Sequence, residues 1–415
     1  MTKLYEMTTA QRLKQLEMEG YLTQSDMELL QTNSALPATI GSHLVENYLG
    51  NFALPFGVAN HFLINQQDYL IPMATEEPSV IAAASNAAQR VARSGGFQTQ
   101  VFRNGLQGQI VFQGHLKDKT SFLQQHHNQI MTIADQAHPT LQQHGGGLKD
   151  ININNYKDFV EFNLLINPAE AMGANVVNTI LEAVAHYLQQ QLPQLDLLMA
   201  ILSNQAPQQI ASASAQIDFE QLATSQYSGY QVAQRIVAAS EFAQISAARA
   251  ATHNKGIMNG VIATVLATGN DTRNINAAVY AGLNQSQKTL SEWQIHDQKL
   301  VGNIRLSLPL GSVGGAISTL PMAQLAMRIL QQPSATQLMR IVAAVGLSSN
   351  LAALRALVTQ GIQAGHMNLQ WQSLAIMAGA KADEIAPIVT YLKAHPQVAN
   401  LANAHKQLEQ LRKDK

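Results

Sequence analysis

The run Val160-Glu161-Phe162-Asn163-Leu164-Leu165-Ile166-Asn167-Pro168-Ala169-Glu170-Ala171-Met172-Gly173-Ala174-Asn175-Val176-Val177 changes its hydrophobic period half-way. Val160, Phe162, Leu164 and Ile166 recur at every second residue, which predicts a strand. Pro168 ends it, because proline removes a donor from the ladder. Past Gly173, the residues Val176, Val177, Ile180, Leu181 and Val184 fall on one face of a helix. A strand that passes into a helix through small residues leaves the first helical N–H groups free. Their positive dipole end favours an anion such as a phosphate, and Gly173 and Ala174 leave room for one. An ordinary strand-to-helix junction has the same appearance. The chain has no Gly-x-Gly-x-x-Gly, so a Rossmann unit is not indicated.

Working outward, Gln109-Ile110-Val111-Phe112 reads as a further strand, followed by a His- and Gln-rich helical stretch and the loop Gly145-Gly146-Gly147. Towards the N-terminus, residues 52–64 and 69–73 read as strands around the polar turn Asn65-Gln66-Gln67-Asp68. A helix is predicted from Pro78, in its first turn, to about Arg93, with Gly95-Gly96 ending it. Ser25-Asp26-Met27-Glu28 predicts a capping box, with Ser25 as N-cap and Glu28 three residues on. Beyond Ser203-Asn204 the chain reads as largely helical and Ala-rich. The fold class is therefore α+β. Residues 1–104 and 204–360 form a large, mostly helical domain, 105–203 a small α+β domain inserted in it, and 361–415 a C-terminal segment of two helices with a charged tail.

Composition narrows the function. The 415 residues carry a net charge of −1, and only 13% are charged, which argues against a nucleic-acid binder. Cys is absent, which removes disulfides, thiolate nucleophiles and Cys-bound metals. The first thirty residues mix Lys, Arg and Glu with Leu, unlike a signal peptide or anchor. No uninterrupted apolar run reaches the ~18 residues that would span a bilayer. A soluble, cytoplasmic protein is expected, with no nucleic-acid or membrane partner. No metal site is expected either, since the adjacent pair His126-His127 cannot present both rings on one helix face.

Two words carry chemistry: Ala251-Thr252-His253-Asn254-Lys255-Gly256-Ile257-Met258-Asn259-Gly260 and Ala267-Thr268-Gly269-Asn270-Asp271. A lysine among small residues and glycines can come close to a substrate oxygen. Its ammonium can stabilise an oxyanion where water is excluded, and Asp271 would supply its counter-charge. In Glu76-Glu77-Pro78-Ser79, either glutamate can handle protons. His366 follows Gly361-Ile362-Gln363-Ala364-Gly365, and an imidazolium there can protonate a leaving group from a segment that closes over substrate.

Taken together and in order, Glu76-Glu77-Pro78-Ser79, Ala171-Met172-Gly173-Ala174-Asn175, the Lys255 and Asp271 words and Gly365-His366-Met367 resemble the 3-hydroxy-3-methylglutaryl-CoA (HMG-CoA) reductases of class II, the bacterial type. The resemblance runs from about residue 46 to about residue 383. It implies two hydride transfers that convert HMG-CoA to mevalonate and CoA, a ferredoxin-like small domain, a C-terminal flap, and a homodimer with its active site at the subunit interface. It selects Glu77, which directly precedes Pro-Ser, as the proton handler. Lys255 becomes the oxyanion stabiliser, Asp271 its partner, and His366 the acid for the CoA thiolate. Ser79, Arg249 and Asn259 become substrate ligands, and Gly311-Ser312-Val313-Gly314-Gly315 is similar to the family's glycine-rich motif near the cofactor. Glu170, Met172, Gly173, Ala174 and Asn175 match the family's dinucleotide signature Asp-Ala-Met-Gly-Ala-Asn, with Glu170 in place of Asp. In NAD-using relatives an acidic residue precedes the triple-glycine loop, and here the matching position is His138. A histidine tolerates a 2′-phosphate that a carboxylate would repel, so NADPH is expected over NADH. The same chemistry run oxidatively with NAD, or a noncatalytic CoA- or nucleotide-binding protein, are the alternatives. The second has no need of Glu77, Lys255, Asp271 and His366 together.

Overall fold

A computed structural model describes residues 4–31, 36–284, 286–361 and 371–414. The short helices α1 (Thr9–Met18), α2 (Gln24–Gln31) and α3 (Ala38–Leu44) lead in. The cap of α2 is Thr23 with Asp26, not Ser25 with Glu28. Thr23 N donates to Asp26 Oδ2 at 2.9 Å, and Asp26 N donates back to Thr23 Oγ1 at 3.3 Å. Asp26 is also buried against Arg328, so its own side chain was committed inward.

Strands β1 (Phe56–Ile64) and β2 (Gln67–Ala74) form an antiparallel hairpin. Its turn is only Asn65-Gln66, both at positive φ (49° and 67°), as a tight hairpin of matching twist requires. The first strand therefore starts four residues later than the pattern suggested, and the second starts two residues earlier. Helix α4 (Val80–Arg93) follows with Ser79 as N-cap, which puts Pro78 outside the first turn. Strand β3 (Phe97–Arg103) returns to pair with β1, and the Phe62 and Phe97 rings stack 5.8 Å apart.

The chain then builds β4 (Leu106–Gln113), α5 (Lys119–Ala137), α6 (Pro139–Gln143), β5 (Gly147–Tyr156), β6 (Phe159–Asn167), α7 (Ala174–Gln191) and β7 (Asp196–Leu202). These strands form a separate antiparallel sheet in the order β5-β6-β4-β7. This is the βαββαβ ferredoxin-like arrangement. Its core, including Phe112, Phe162, Leu164, Ile180 and Val184, is nearly independent of the larger one. The chain enters and leaves through paired segments, where Asn104 N donates to Gln208 O and Ser203 N to Gln107 O.

After β7 come β8 (Gln209–Asp218), α8 (Gly229–Ile245), α9 (Ala247–Ala267), α10 (Thr272–Ala281), β9 (Ser291–His296), β10 (Lys299–Ser307), α11 (Gly315–Thr319), α12 (Pro321–Ile329) and α13 (Ala335–Val358). Three strands lie in the stretch read as helical, and they complete a six-stranded sheet in the order β2-β1-β3-β8-β10-β9. In β8 the alternation is real but written in small residues. Ala211, Ala213 and Ala215 face the core, with Ser212 and Ser214 between them. Small side chains there let α13 lie close against the sheet. In β10, Gly302 makes room for the Trp293 ring of β9, which would lie 2.3 Å from an added Cβ.

Helix α13 is the axis of the large core, from Leu338 to Val358. It is long and apolar enough to cross a membrane, despite the absence of an unbroken apolar run, yet 72% of its apolar window is buried inside the protein. Helices at 382–394 and 401–413 pack together through Ile388, Leu392, Ala404 and Leu408, with Arg412 paired to Glu384.

Candidate active site

Lys255 lies in the middle of α9. Helical spacing puts Thr252, Lys255 and Asn259 on one face, with Arg249 near its edge. The segment Thr75–Ser79, between β2 and α4, reaches this face. Lys255 Nζ donates to Glu77 Oε2 at 2.7 Å, and Asn259 Nδ2 donates to Glu77 Oε1 at 3.1 Å. One helical turn thus grips both oxygens of one carboxylate. The Lys255 side chain is 59% exposed and that of Glu77 36%, so the pair is open to an incoming molecule. The neighbouring candidate Glu76 is exposed, with no contact to Lys255.

Ser79 sits at φ 73°, a left-handed conformation that costs a serine about 1–3 kcal/mol and concentrates at functional sites. Its hydroxyl does not cap α4, and its Oγ is buried without a hydrogen-bond partner. Arg249 Nε is a second buried atom left unpaired. Such atoms on the same surface as an open ion pair suit a ligand that completes them. The glycines around Lys255 serve another purpose than substrate approach. A Cβ on Gly260 would lie 2.2 Å from Ser349 Oγ of α13, so Gly260 is a helix–helix contact. Gly269, at φ 70°, ends α9.

Asp271 does not meet Lys255 within the chain. Its Oδ1 accepts from Arg273 N at 2.8 Å and from Asn274 N at 3.2 Å as the N-cap of α10, and Arg273 binds both oxygens at 3.1 and 3.0 Å. Burial alone would raise the Asp271 pKa, but these bonds and the Arg273 charge hold it below the usual carboxylate value. Asn270 N bonds Val265 O, and α9 ends at Ala267, twelve residues and about 18 Å of helical rise beyond Lys255. His366, and the Gly365 and Met367 beside it, lie outside the described residues.

The second constellation surrounds the β6–α7 loop. Gly173, at φ 108°, is a bare N-cap that leaves the first N–H groups of α7 uncapped by any side chain. A Cβ on Gly311 would lie 2.2 Å from Met172 N, so the Gly311–Gly315 loop is packed directly on this turn. Ala171 and Val313 form a β-bridge, and Met172 Sδ accepts from Asn274 Nδ2 at 3.4 Å. Glu170 Oε2 accepts from Ser312 Oγ and from Ala335 N, both at 2.6 Å. Burial would raise its pKa, but these two donors and the Arg103 charge bring it below the ordinary value. Its carboxylate therefore clamps the loop in place, and a direct ligand role would compete with that. Ala174 and Asn175 open the helix, Asn175 being exposed.

His138 is half-buried between α5 and α6, with Nδ1 3.3 Å from Thr140 Oγ1. The glycine loop that follows adjoins the β6–α7 loop, because Asn167 Nδ2 donates to Gly145 O at 3.3 Å. One residue near it escaped the sequence reading. Asp135 Oδ1 lies 3.8 Å from where a Gly147 Cβ would be, one turn before His138. Its i−3 spacing from His138 was the available signal. Among the described residues no group of three His, Asp or Glu side chains could hold a metal.

Residues 8–371 match the family model described as hydroxymethylglutaryl-coenzyme A reductase. This chain belongs to that family. It is 38% identical to the 3-hydroxy-3-methylglutaryl-coenzyme A reductase of Archaeoglobus fulgidus, over 98% of this chain and 94% of the relative. Among solved structures it resembles the Streptococcus pneumoniae HMG-CoA reductase, with a TM-score of 0.81, 37% identity, and coverage of 98% and 99% of the two chains. A class II reductase from S. pneumoniae bound to NADPH in open conformations matches with a TM-score of 0.80 and 36% identity, over 86% and 99%. In this reductase Lys255 and Asn259 grip both oxygens of Glu77 on an open surface, and the Gly173 turn leaves the start of α7 without a side-chain cap.

Proposed function

We propose that the chain reduces HMG-CoA to mevalonate and CoA with NADPH, and that Lys255, Glu77 and Asn259 form its reaction centre. The observation that carries this is the pairing of Lys255 and Asn259 with both oxygens of Glu77 on an open surface. The thioester carbonyl and then the aldehyde become oxyanions when reduced, and the Lys255 ammonium would stabilise both. Glu77, already bonded to that ammonium, is placed to deliver a proton to the same oxygen. Ser79 and Arg249, with unpaired buried donors, would fix the acyl portion. His366 would protonate the departing thiolate. Two NADPH, bound in turn, would supply one hydride each. The α7 N-terminus, with Met172, Gly173, Ala174 and Asn175, would receive its diphosphate, and Glu170 would hold that turn rigid.

The large and small domains are taken to exchange at residues 105 and 203, with a C-terminal flap from 361. We read the working unit as a homodimer, soluble and cytoplasmic, with Asp271 of the partner subunit completing the site. The roughly 18 Å of helix between Lys255 and the end of α9 supports this, since it keeps each Asp271 from its own lysine. Leu49 and Phe52, almost wholly exposed, provide apolar surface for such an interface.

Asp135 favours a second reading on one point, the cofactor: a carboxylate near Gly147 can accept from a ribose 2′-hydroxyl and would repel a 2′-phosphate. Nicotinamide absorbance with purified protein and HMG-CoA, in parallel with NADPH and NADH, separates these. Faster loss of NADPH is expected. Faster loss of NADH would transfer the selection to Asp135, and loss of neither would remove the reductase reading.

A further inference from the structure

Arg103 is the last residue of β3, and Gln209 is the first of β8. They lie opposite each other in the antiparallel pair through which the chain passes to its smaller sheet and back. Arg103 Nη1 donates to Gln209 Oε1 at 2.8 Å. Its Nη2 crosses to the β6–α7 loop, donating to the carbonyl oxygen of Ala169 and, at 3.2 Å, to that of Ala171. Burial pushes the guanidinium below its usual value and the Glu170 charge raises it, but an arginine remains a cation at physiological pH. One side chain of the larger sheet therefore grips the turn that leads into the bare N-terminus of α7.

Two features of the turn follow from that grip. Ala169 stands at φ 52°, a left-handed conformation that costs a residue with a Cβ about 1–3 kcal/mol and persists only where its surroundings enforce it. Asn167 Oδ1 accepts from Ala169 N at 3.0 Å, and Arg103 takes the carbonyl of the same residue. The second feature is electrostatic. A free carbonyl oxygen turned towards a phosphate would repel it, and those of Ala169 and Ala171 are committed to a cation instead. The Arg103 charge also stands behind the start of α7, where it adds to the positive end of the helix. Gln209 gives its oxygen to this arrangement although its own Nε2 is left buried with no hydrogen-bond partner among the described residues.

We propose that Arg103 is a positioning residue for the cofactor: from the joint between the two sheets it holds the Ala169–Ala171 turn in the shape that admits the NADPH diphosphate. The inference rests on the reading above of the α7 N-terminus as the diphosphate site. A residue of β3 then sets nucleotide affinity although it touches no nucleotide. Together with Glu170, which clamps the same turn to Ser312 and to the start of α13, it ties the turn to three elements of the larger unit.

The dissociation constant of NADPH, from nicotinamide fluorescence without substrate, and that of HMG-CoA, from calorimetry without cofactor, would be measured for Arg103→Met, Arg103→Lys and the parent, along with Tm. Arg103→Met, which removes the charge and the donors, is expected to raise the NADPH constant about tenfold, the scale of a lost bond to a charged group. HMG-CoA should bind as in the parent, since the Lys255–Glu77 surface makes none of these contacts. Arg103→Lys keeps the charge and one donor head, and should recover part of the loss. A parental NADPH constant in Arg103→Met, whatever its Tm, would overturn the proposal. So would equal rises for both ligands, the sign of a general loosening. If Arg103→Met does not fold, Gln209→Met tests the same latch from its far end. A NADPH constant raised about threefold is then expected, and a parental one would overturn the proposal. A parent that binds HMG-CoA but not NADPH would instead reject the diphosphate site at α7, and the inference with it.

Discussion

Lys255 and Glu77 are 178 positions apart, yet they make the shortest charged contact at the site. Their residue types and neighbours marked both in the sequence, but the sequence paired Lys255 with Asp271, the nearer carboxylate along the chain. Helical rise is what prevents that pairing within one chain, because residues close in sequence are carried apart along α9 while a distant loop folds onto its side. The unpaired buried nitrogens of Arg249 and His253 were invisible for a different reason. Their spacing could be read, but a missing partner is a property of three dimensions. His253 makes one prediction about pH. Its folded value is about 4 against an ordinary 6.5, so between these values the unfolded chain binds the proton and the folded one resists it. Stability from this group is complete above about pH 6.5, and declines as pH falls towards 4, by up to about 3 kcal/mol. Urea unfolding followed from pH 7 to pH 4 should show that loss, and His253→Gln should lack this component. An identical slope in both proteins would contradict it.

Among the elements, the strand-to-helix switch at residues 160–184 was readable because its period changes cleanly and its side chains are large. Strands β8, β9 and β10 were not, since β8 alternates Ala with Ser and carries almost no hydrophobic contrast. The cause is packing: α13 lies so close to the sheet and to α9 that only small residues fit. Two glycines of α9 test this. A Cβ at Gly260 would meet Ser349 Oγ at 2.2 Å, but one at Gly256 would meet Ala353 Cβ at an ordinary 3.5 Å. Gly260→Val should therefore destabilise by about 1–3 kcal/mol through overpacking, while Gly256→Ala should gain up to about 1 kcal/mol from helix propensity. Chemical denaturation midpoints would show the opposite signs. Equal effects would mean that the α9–α13 contact is not what fixes these residues.

At the scale of the whole molecule, the family, the inserted ferredoxin-like unit and the two ligand-ready surfaces could be read from short motifs. The proposed sharing of the site between two subunits came from the family resemblance alone, because composition carries no trace of symmetry. A symmetric dimer in which each site takes Lys255 from one protomer and Asp271 from the other has a consequence that no single-chain site shares. Lys255→Ala and Asp271→Ala should each be nearly inactive alone, with Lys255→Ala losing about 10²–10³ in kcat. Mixed under conditions that allow subunits to exchange, half of the dimers will be hybrid, and each hybrid has one intact site. Measuring NADPH oxidation with HMG-CoA before and after mixing tests the account most directly. Recovery to about a quarter of the parental rate is predicted by that symmetry. A mixture that stays inactive would contradict the shared site, and a Lys255→Ala variant that turns over normally by itself would contradict the role of the lysine.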